Sequence, residues 1–153
     1  MNITRYTDYS LRVLIYLAVK DPVQCTISEI AQSYDISKNH LMKVVQSLAQ
    51  TGYVKAVRGK NGGVSLNEPA QRINVGKLVR SLEDKTRLVE CFGKNNQCVI
   101  TPACELKSMF AQAQEAFFVV LDGFYLSDLT GEPQGSALRQ LLLTDATDFG
   151  SPT

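Results

Sequence analysis

The sequence predicts a mainly α-helical protein carrying one short β-hairpin, and three observations predict it. Apolar residues recur at helical spacing in Leu11, Leu14, Ile15 and Ala18, again in Leu41, Val44, Val45 and Leu48, and again through residues 102–129. Two short helical segments between residues 26 and 50 are separated by only a tight Asp35-Ile36 turn. The glycine-rich run Gly59-Lys60-Asn61-Gly62-Gly63 divides two β-prone stretches. Together these give a winged helix-turn-helix with a two-stranded wing, followed by a long C-terminal helix suited to dimerisation.

Each element has a local cause. The first helix, TDYSLRVLIYLAVK, ends near Lys20, before Asp21-Pro22. Thr26-Ile27-Ser28-Glu29 is a capping box, in which the Thr side chain accepts from the third helical amide and the Glu reaches back. A short helix follows to about Tyr34. Ser37 is a good N-cap for a helix running to about Gln50, which Thr51-Gly52 stops. Tyr53–Arg58 reads as a strand, residues 59–63 as a turn tolerant of positive φ, and Val64–Leu66 as the returning strand. Asn74 caps a helix from Val75 to about Glu83. Thr101-Pro102 is a strong helix start, and a helix is expected from Pro102 to about Leu129, with Leu106, Met109, Phe110, Ala113, Phe117, Val120 and Phe124 on one face. So long a face on so small a chain predicts a homodimer. Residues 131–153 read as a flexible tail with one apolar patch, Leu138–Leu143. The predicted organisation is a winged helix-turn-helix unit over 1–84, a cysteine loop over 85–101, a dimerisation helix over 102–130 and the tail.

Composition bounds the class. An apolar content of 44% supports a real core, and no run of about 18 apolar residues is present to span a membrane. No signal peptide is recognisable, so a reducing cytoplasm is expected. The net charge of +1 conceals an asymmetry: residues 1–80 hold 11 Lys/Arg against 5 Asp/Glu, and residues 81–153 hold 5 against 10. A basic half joined to an acidic half points to a polyanion partner for the first.

The expected partner is double-stranded DNA. Ser37, Lys38, Asn39 and His40 form the leading turn of the second helix of the pair, with Lys43 a turn later; in helix-turn-helix proteins this end enters the major groove. Asn39 suits adenine, and Lys38 and Lys43 suit guanine or phosphate. Ser28, in the first turn of the preceding helix, joins the set. Arg58, Lys60 and Asn61 at the glycine-flanked hairpin tip suit the minor groove. Arg5 and Arg12 could add phosphate contacts.

Cys91, Cys98 and Cys104 lie in one polar loop, spaced C-x6-C-x5-C. Three thiols nearly complete a tetrahedral zinc site or an iron–sulfur cluster, and the absence of C-x2-C favours the bulkier cluster. The fourth donor is open between Glu90, Glu105 and Asp8. His40, the sole histidine, falls in the reading helix, and Cys25 reads as a semi-buried small residue. With no C-x-x-C pair and no fourth loop cysteine, a small electron carrier or a disulfide-exchange enzyme is disfavoured, and no enzyme activity is expected.

The segments ITRYTDYSLRVLIYLA, ISEIAQSYDISKNHLMKVVQSLAQTGYVKAVRGKNGGVSL and the cysteine loop ending in TPAC resemble the Rrf-type winged-helix transcription regulators of bacteria, over about residues 1–130. The resemblance is nearest to the family's nitric-oxide-sensing iron–sulfur repressors. It implies a homodimer that holds one cluster per subunit, [4Fe-4S] or alternatively [2Fe-2S], through Cys91, Cys98, Cys104 and an aspartate from the partner chain, whose position Asp8 matches. Arg12, four residues on, could pair with Asp8. A sister branch uses a histidine three residues after the last cysteine, where this chain has Lys107. The resemblance implies repression from a palindromic operator that nitric oxide relieves, with an iron- or redox-responsive regulator as the alternative.

Overall fold

The computed structural model describes residues 2–144. Seven helices and one hairpin follow in order: α1 (Arg5–Lys20), α2 (Ile27–Tyr34), α3 (Lys38–Gln50), β1 (Val54–Val57), β2 (Gly63–Leu66), α4 (Val75–Glu83), α5 (Glu105–Asp122), α6 (Leu126–Thr130) and α7 (Gln134–Leu143). Short 3-10 turns occupy Ala70–Arg72, Glu90–Phe92 and Thr101–Ala103. A mainly helical chain with a winged helix-turn-helix is thus what the sequence predicted and what the fold contains.

The reading unit assembles as its local signals demand. The Thr26–Glu29 capping box forms in full at the start of α2. Asp35 takes up the left-handed conformation at φ 52, and its amide returns to the end of α2. Ser37 stands at the N-cap of α3, yet its side chain makes no capping hydrogen bond. Leu41, Val44, Val45 and Leu48 are buried on one face of α3, each contributing about 1.5–3 kcal/mol of burial. They pack with Val13, Leu14 and Leu17 of α1 and Ile30 of α2 in one core.

The wing is a two-stranded antiparallel ladder pairing Val54 with Leu66 through Val57 with Gly63. Gly59, at φ 108, turns the tip, where the Gly62 amide donates to the Gly59 carbonyl at 3.0 Å. Cys25 adds an isolated bridge on the far side: its amide donates to the Val64 carbonyl at 3.1 Å, and the Val64 amide returns to the Cys25 carbonyl at 2.7 Å. The wing is therefore fastened to the α1–α2 connection. Cys25 is fully buried there, where a semi-buried residue was expected.

Two sequence expectations fail beyond the wing. The helix expected over 102–129 is divided. Pro102 sits in a 3-10 turn, Cys104 is extended at ψ 112, and α5 begins only at Glu105. It ends at Asp122 because the following backbone is claimed by the segment before α4. The Val75 amide donates to the Phe124 carbonyl at 2.9 Å, the Leu126 amide donates to the Ile73 carbonyl at 2.8 Å, and Asn74 Nδ2 donates to the Asp122 carbonyl at 2.8 Å. Gly76 permits this approach, since a methyl there would run into the Asp122 backbone. The flexible tail expected over 131–153 is also corrected in part. Residues 134–143 form α7, whose Leu142 and Leu143 pack on the core and whose Leu142 carbonyl accepts from Ser33 Oγ of α2 at 3.0 Å. The remainder of that tail, 145–153, lies outside the described residues.

Candidate functional sites

The candidate DNA-reading residues come from three adjoining elements and all face solvent. Ser28 on α2, Ser37 to His40 and Lys43 at the leading end of α3, and Arg58, Lys60 and Asn61 at the wing tip are exposed. Burial of Leu41, Val44 and Val45 fixes this presentation, because those residues hold the opposite face of α3 to the core. Lys55, in the wing strand, is a further exposed base that the sequence reading passed over.

Helix α1 lies against α3 and carries a cluster of its own. Arg12 Nε and Nη2 donate to Asp8 Oδ1 and Oδ2 at 3.1 and 2.9 Å, a bidentate pair one helical turn apart. The Arg12 guanidinium also stands 5.8 Å from the Tyr9 ring centroid and 5.9 Å from that of Tyr34. Tyr34, at the end of α2, donates its hydroxyl to the Arg12 carbonyl at 2.9 Å. Tyr9 in turn lies 6.5 Å, centroid to centroid, from His40. The Asp8–Arg12 pair was legible as an i,i+4 spacing, and Tyr9 was equally open to reading as an i,i+3 neighbour of Arg12 but was missed; Tyr34 comes in only through the packing of α2 against α1.

The cysteine loop is held by its own side chains. Gln97 and Cys98 donate their amides to Glu90 Oε1 at 2.8 Å and Asn96 Oδ1 at 3.0 Å, while Thr101 Oγ1 donates to the Cys98 carbonyl at 2.8 Å. Glu90, one candidate fourth donor, is thus an internal support of the loop. All four cysteines are free thiols. Cys91 and Cys104 are half-buried and line one open groove of about 630 Å³, together with Gly93, Lys94, Lys107 and Ser108. Cys98 is exposed and outside that lining. Among the described residues, no three His, Cys, Asp or Glu side chains gather closely enough to hold a metal ion, so Asp8 and the three cysteines are not brought together within one chain.

The donor set still fits an iron–sulfur group in kind. Two thiols share a groove, Lys94 and Lys107 supply positive charge beside it, and Cys104 stands at the N-cap of α5, where the helix dipole favours an anion. Soft thiolates are the ligands such clusters take.

A family profile described as Rrf2, iron-dependent transcriptional regulator, matches residues 3–132. The chain belongs to the Rrf2 family. Among similar Rrf2-type proteins, the HTH-type transcriptional regulator NsrR of Bacillus subtilis is 50% identical over 131 residues, covering 84% of this chain and 90% of that protein. NsrR of Bacillus licheniformis is 49% identical over 131 residues, covering 84% and 92%. The oxidized form of Staphylococcus aureus CymR matches with a TM-score of 0.67 at 28% identity, covering 86% of this chain and 97% of that one. T. potens IscR matches in fold with a TM-score of 0.70 at 22% identity, covering 89% and 90%. The NsrR relatives and the family as a whole are transcriptional regulators, not enzymes, so the exposed end of α3 and the wing belong to a family that acts on DNA. The family match stops at residue 132, just before α7. No helix among the described residues is long and apolar enough to cross a membrane.

Proposed function

We propose that this Rrf2 protein is a cytoplasmic repressor that binds a palindromic operator as a homodimer and releases it in response to nitric oxide. The observation that carries the reading is the position of α1: it packs against the reading helix α3 and displays Asp8 on a partly exposed face. A change at Asp8 therefore has a short route to DNA. Identity of about one half to relatives named NsrR supports the choice of signal.

Cys91, Cys98 and Cys104 of one subunit, with Asp8 of the partner subunit, would hold an iron–sulfur cluster, of the [4Fe-4S] type or alternatively [2Fe-2S]. When bound, such a cluster supplies iron that nitric oxide attacks. The protein's part is positional. Asp8 offers a hard oxygen beside three soft thiolates, which makes it the donor most easily lost. Arg12 stands ready to take the freed carboxylate, in the bidentate pair described above. Ser28, Ser37, Lys38, Asn39, His40 and Lys43 would meet the major groove, and Arg58, Lys60 and Asn61 the minor groove. Two such units must sit about 34–36 Å apart to read successive half-sites, so a small rotation of α1 and α3 costs affinity at both. A loss of about 3 kcal/mol lowers affinity more than a hundredfold.

Anaerobic purification with iron and sulfide analysis, followed by operator binding with and without nitric oxide, tests this. The expected result is a brown dimer whose DNA binding falls on nitric oxide addition, with Asp8→Ala blunting that response. The family's description as iron-dependent favours a second reading, an iron- or redox-responsive regulator. DNA binding that survives nitric oxide but is lost on iron chelation would select it.

A further inference from the structure

One carboxylate oxygen joins the base of the cysteine loop to the start of α1. Glu83 is the last residue of α4, and the chain runs directly from it into the segment bearing Cys91. Its Oε1 accepts three hydrogen bonds: from the Thr4 amide at 2.9 Å, from Thr4 Oγ1 at 2.8 Å and from Thr7 Oγ1 at 2.5 Å. Thr4 is the N-cap of α1, its Oγ1 accepting from the Thr7 amide, and Thr7 is fully buried. An anionic acceptor at a helix N-terminus is favoured by the helix dipole and by charge-assisted hydrogen bonding. The position is a junction: Asn2, Ile3, Glu83, Thr86, Phe117 and Phe118 line a small open cleft of about 140 Å³ beside it, so the start of α1, the loop base and α5 meet there.

We propose that Glu83 is a positioning residue, a latch that carries the state of the cysteine loop to the DNA-reading unit through the N-terminus of α1. The proposal rests on the functional reading above. Thr7 precedes Asp8 directly, and α1 packs on α3, so a shift at the loop base moves α1 along with the helix it supports. Without the latch, α1 and the loop are joined less rigidly, and the loop's state no longer sets the DNA affinity.

The test uses full-length wild type, Glu83→Ala, Glu83→Gln, Thr7→Val and the Glu83→Ala/Thr7→Val double variant. Affinity for an operator duplex is measured anaerobically with and without the cluster, its presence read from the visible spectrum. Coupling between sites typically amounts to about 5- to 150-fold, so the wild-type ratio should fall in that range, Glu83→Ala should fall within about threefold of unity, and Thr7→Val, which keeps both Thr4 bonds, should fall between the two. Glu83→Gln keeps an acceptor oxygen and should restore part of the ratio. Melting of the cluster-free proteins supplies a second readout: the double variant should melt no lower than the worse single one, because the Thr7–Glu83 bond that Thr7→Val removes is already gone in Glu83→Ala. A purely structural Glu83 would weaken loaded and unloaded binding alike and leave the ratio intact; that outcome, or additive melting losses, overturns the latch. A wild-type ratio near unity instead defeats the functional reading, and the latch falls with it. Thr7→Val, nearly isosteric, serves if Glu83→Ala does not fold.

Discussion

Cys25 and the three loop cysteines are the same side chain in opposite surroundings. Cys25 is sealed beneath the wing, its Sγ 3.8 Å from the Val64 carbonyl, and burial pushes its thiol up to about 11. Cys98 is exposed and Cys91 and Cys104 are half-buried. In cluster-free protein at pH 8, a thiol reagent should modify three cysteines quickly and Cys25 only after denaturation, as mass mapping would report. Fast native labelling of Cys25 would contradict the fastened wing. Burial also holds the Tyr34 hydroxyl up to about 12. Both groups keep their protons in the fold and lose them more readily unfolded, where the thiol's ordinary value is 9.0. Their contribution to stability is therefore complete below about pH 9 and is lost as pH rises through about 11 and 12. Chemical denaturation between pH 8 and 11.5 should show a falling midpoint above pH 9.

At the scale of elements, α5 and α7 are the informative pair. None of the 18 residues of α5 is buried, and Leu106, Met109, Phe110, Val119 and Val120 are 40–63% exposed. A helix that apolar needs a cover, and in the proposed homodimer a second copy of α5 would supply one of matching length and character. Phe110→Glu should convert a dimer to a monomer by light scattering and abolish tight operator binding; a dimer that persists would remove α5 from the interface. Helix α7 sets Leu142 and Leu143, both partly buried, against the core and contacts α1 and α2 within the chain. Truncation after Gly131 should cost about 2–4 kcal/mol and lower Tm by roughly 5–15 °C. An unchanged Tm would mean that α7 contributes nothing to the fold.

For the whole molecule, the charge asymmetry becomes spatial. The bases of the first half include Lys38, Lys43, Lys55, Arg58 and Lys60, all exposed on α3 and the wing. Neutralising Lys60 should weaken binding to all duplex sequences about equally and reduce the log–log salt slope by about 1, whereas Asn39→Ala should relax sequence preference by about 1–3 kcal/mol at one base pair. Fluorescence anisotropy across 50–200 mM salt separates the two, and an unaltered slope for Lys60→Ala would take the wing tip off the DNA backbone.

The sequence alone determined whatever depends on near neighbours: the Thr26 capping box, the Asp35 turn, the apolar stripe of α3, the glycine turn of the wing and the cysteine spacing. Those features are fixed by interactions within about one helical turn, so periodicity and capping reveal them. Only the tertiary structure decided where α5 stops, because Ile73 and Val75 capture the backbone that would have continued it. It alone turned an apparent tail into α7, whose few apolar residues mean little until α1 and α2 offer a surface. It alone set Tyr34 beside Arg12, buried Cys25 under Val64, and brought Glu83 to Thr4 and Thr7 across nearly 80 residues of chain. Such contacts carry no local signature, since the partners lie far apart in sequence and meet only when the fold closes the distance.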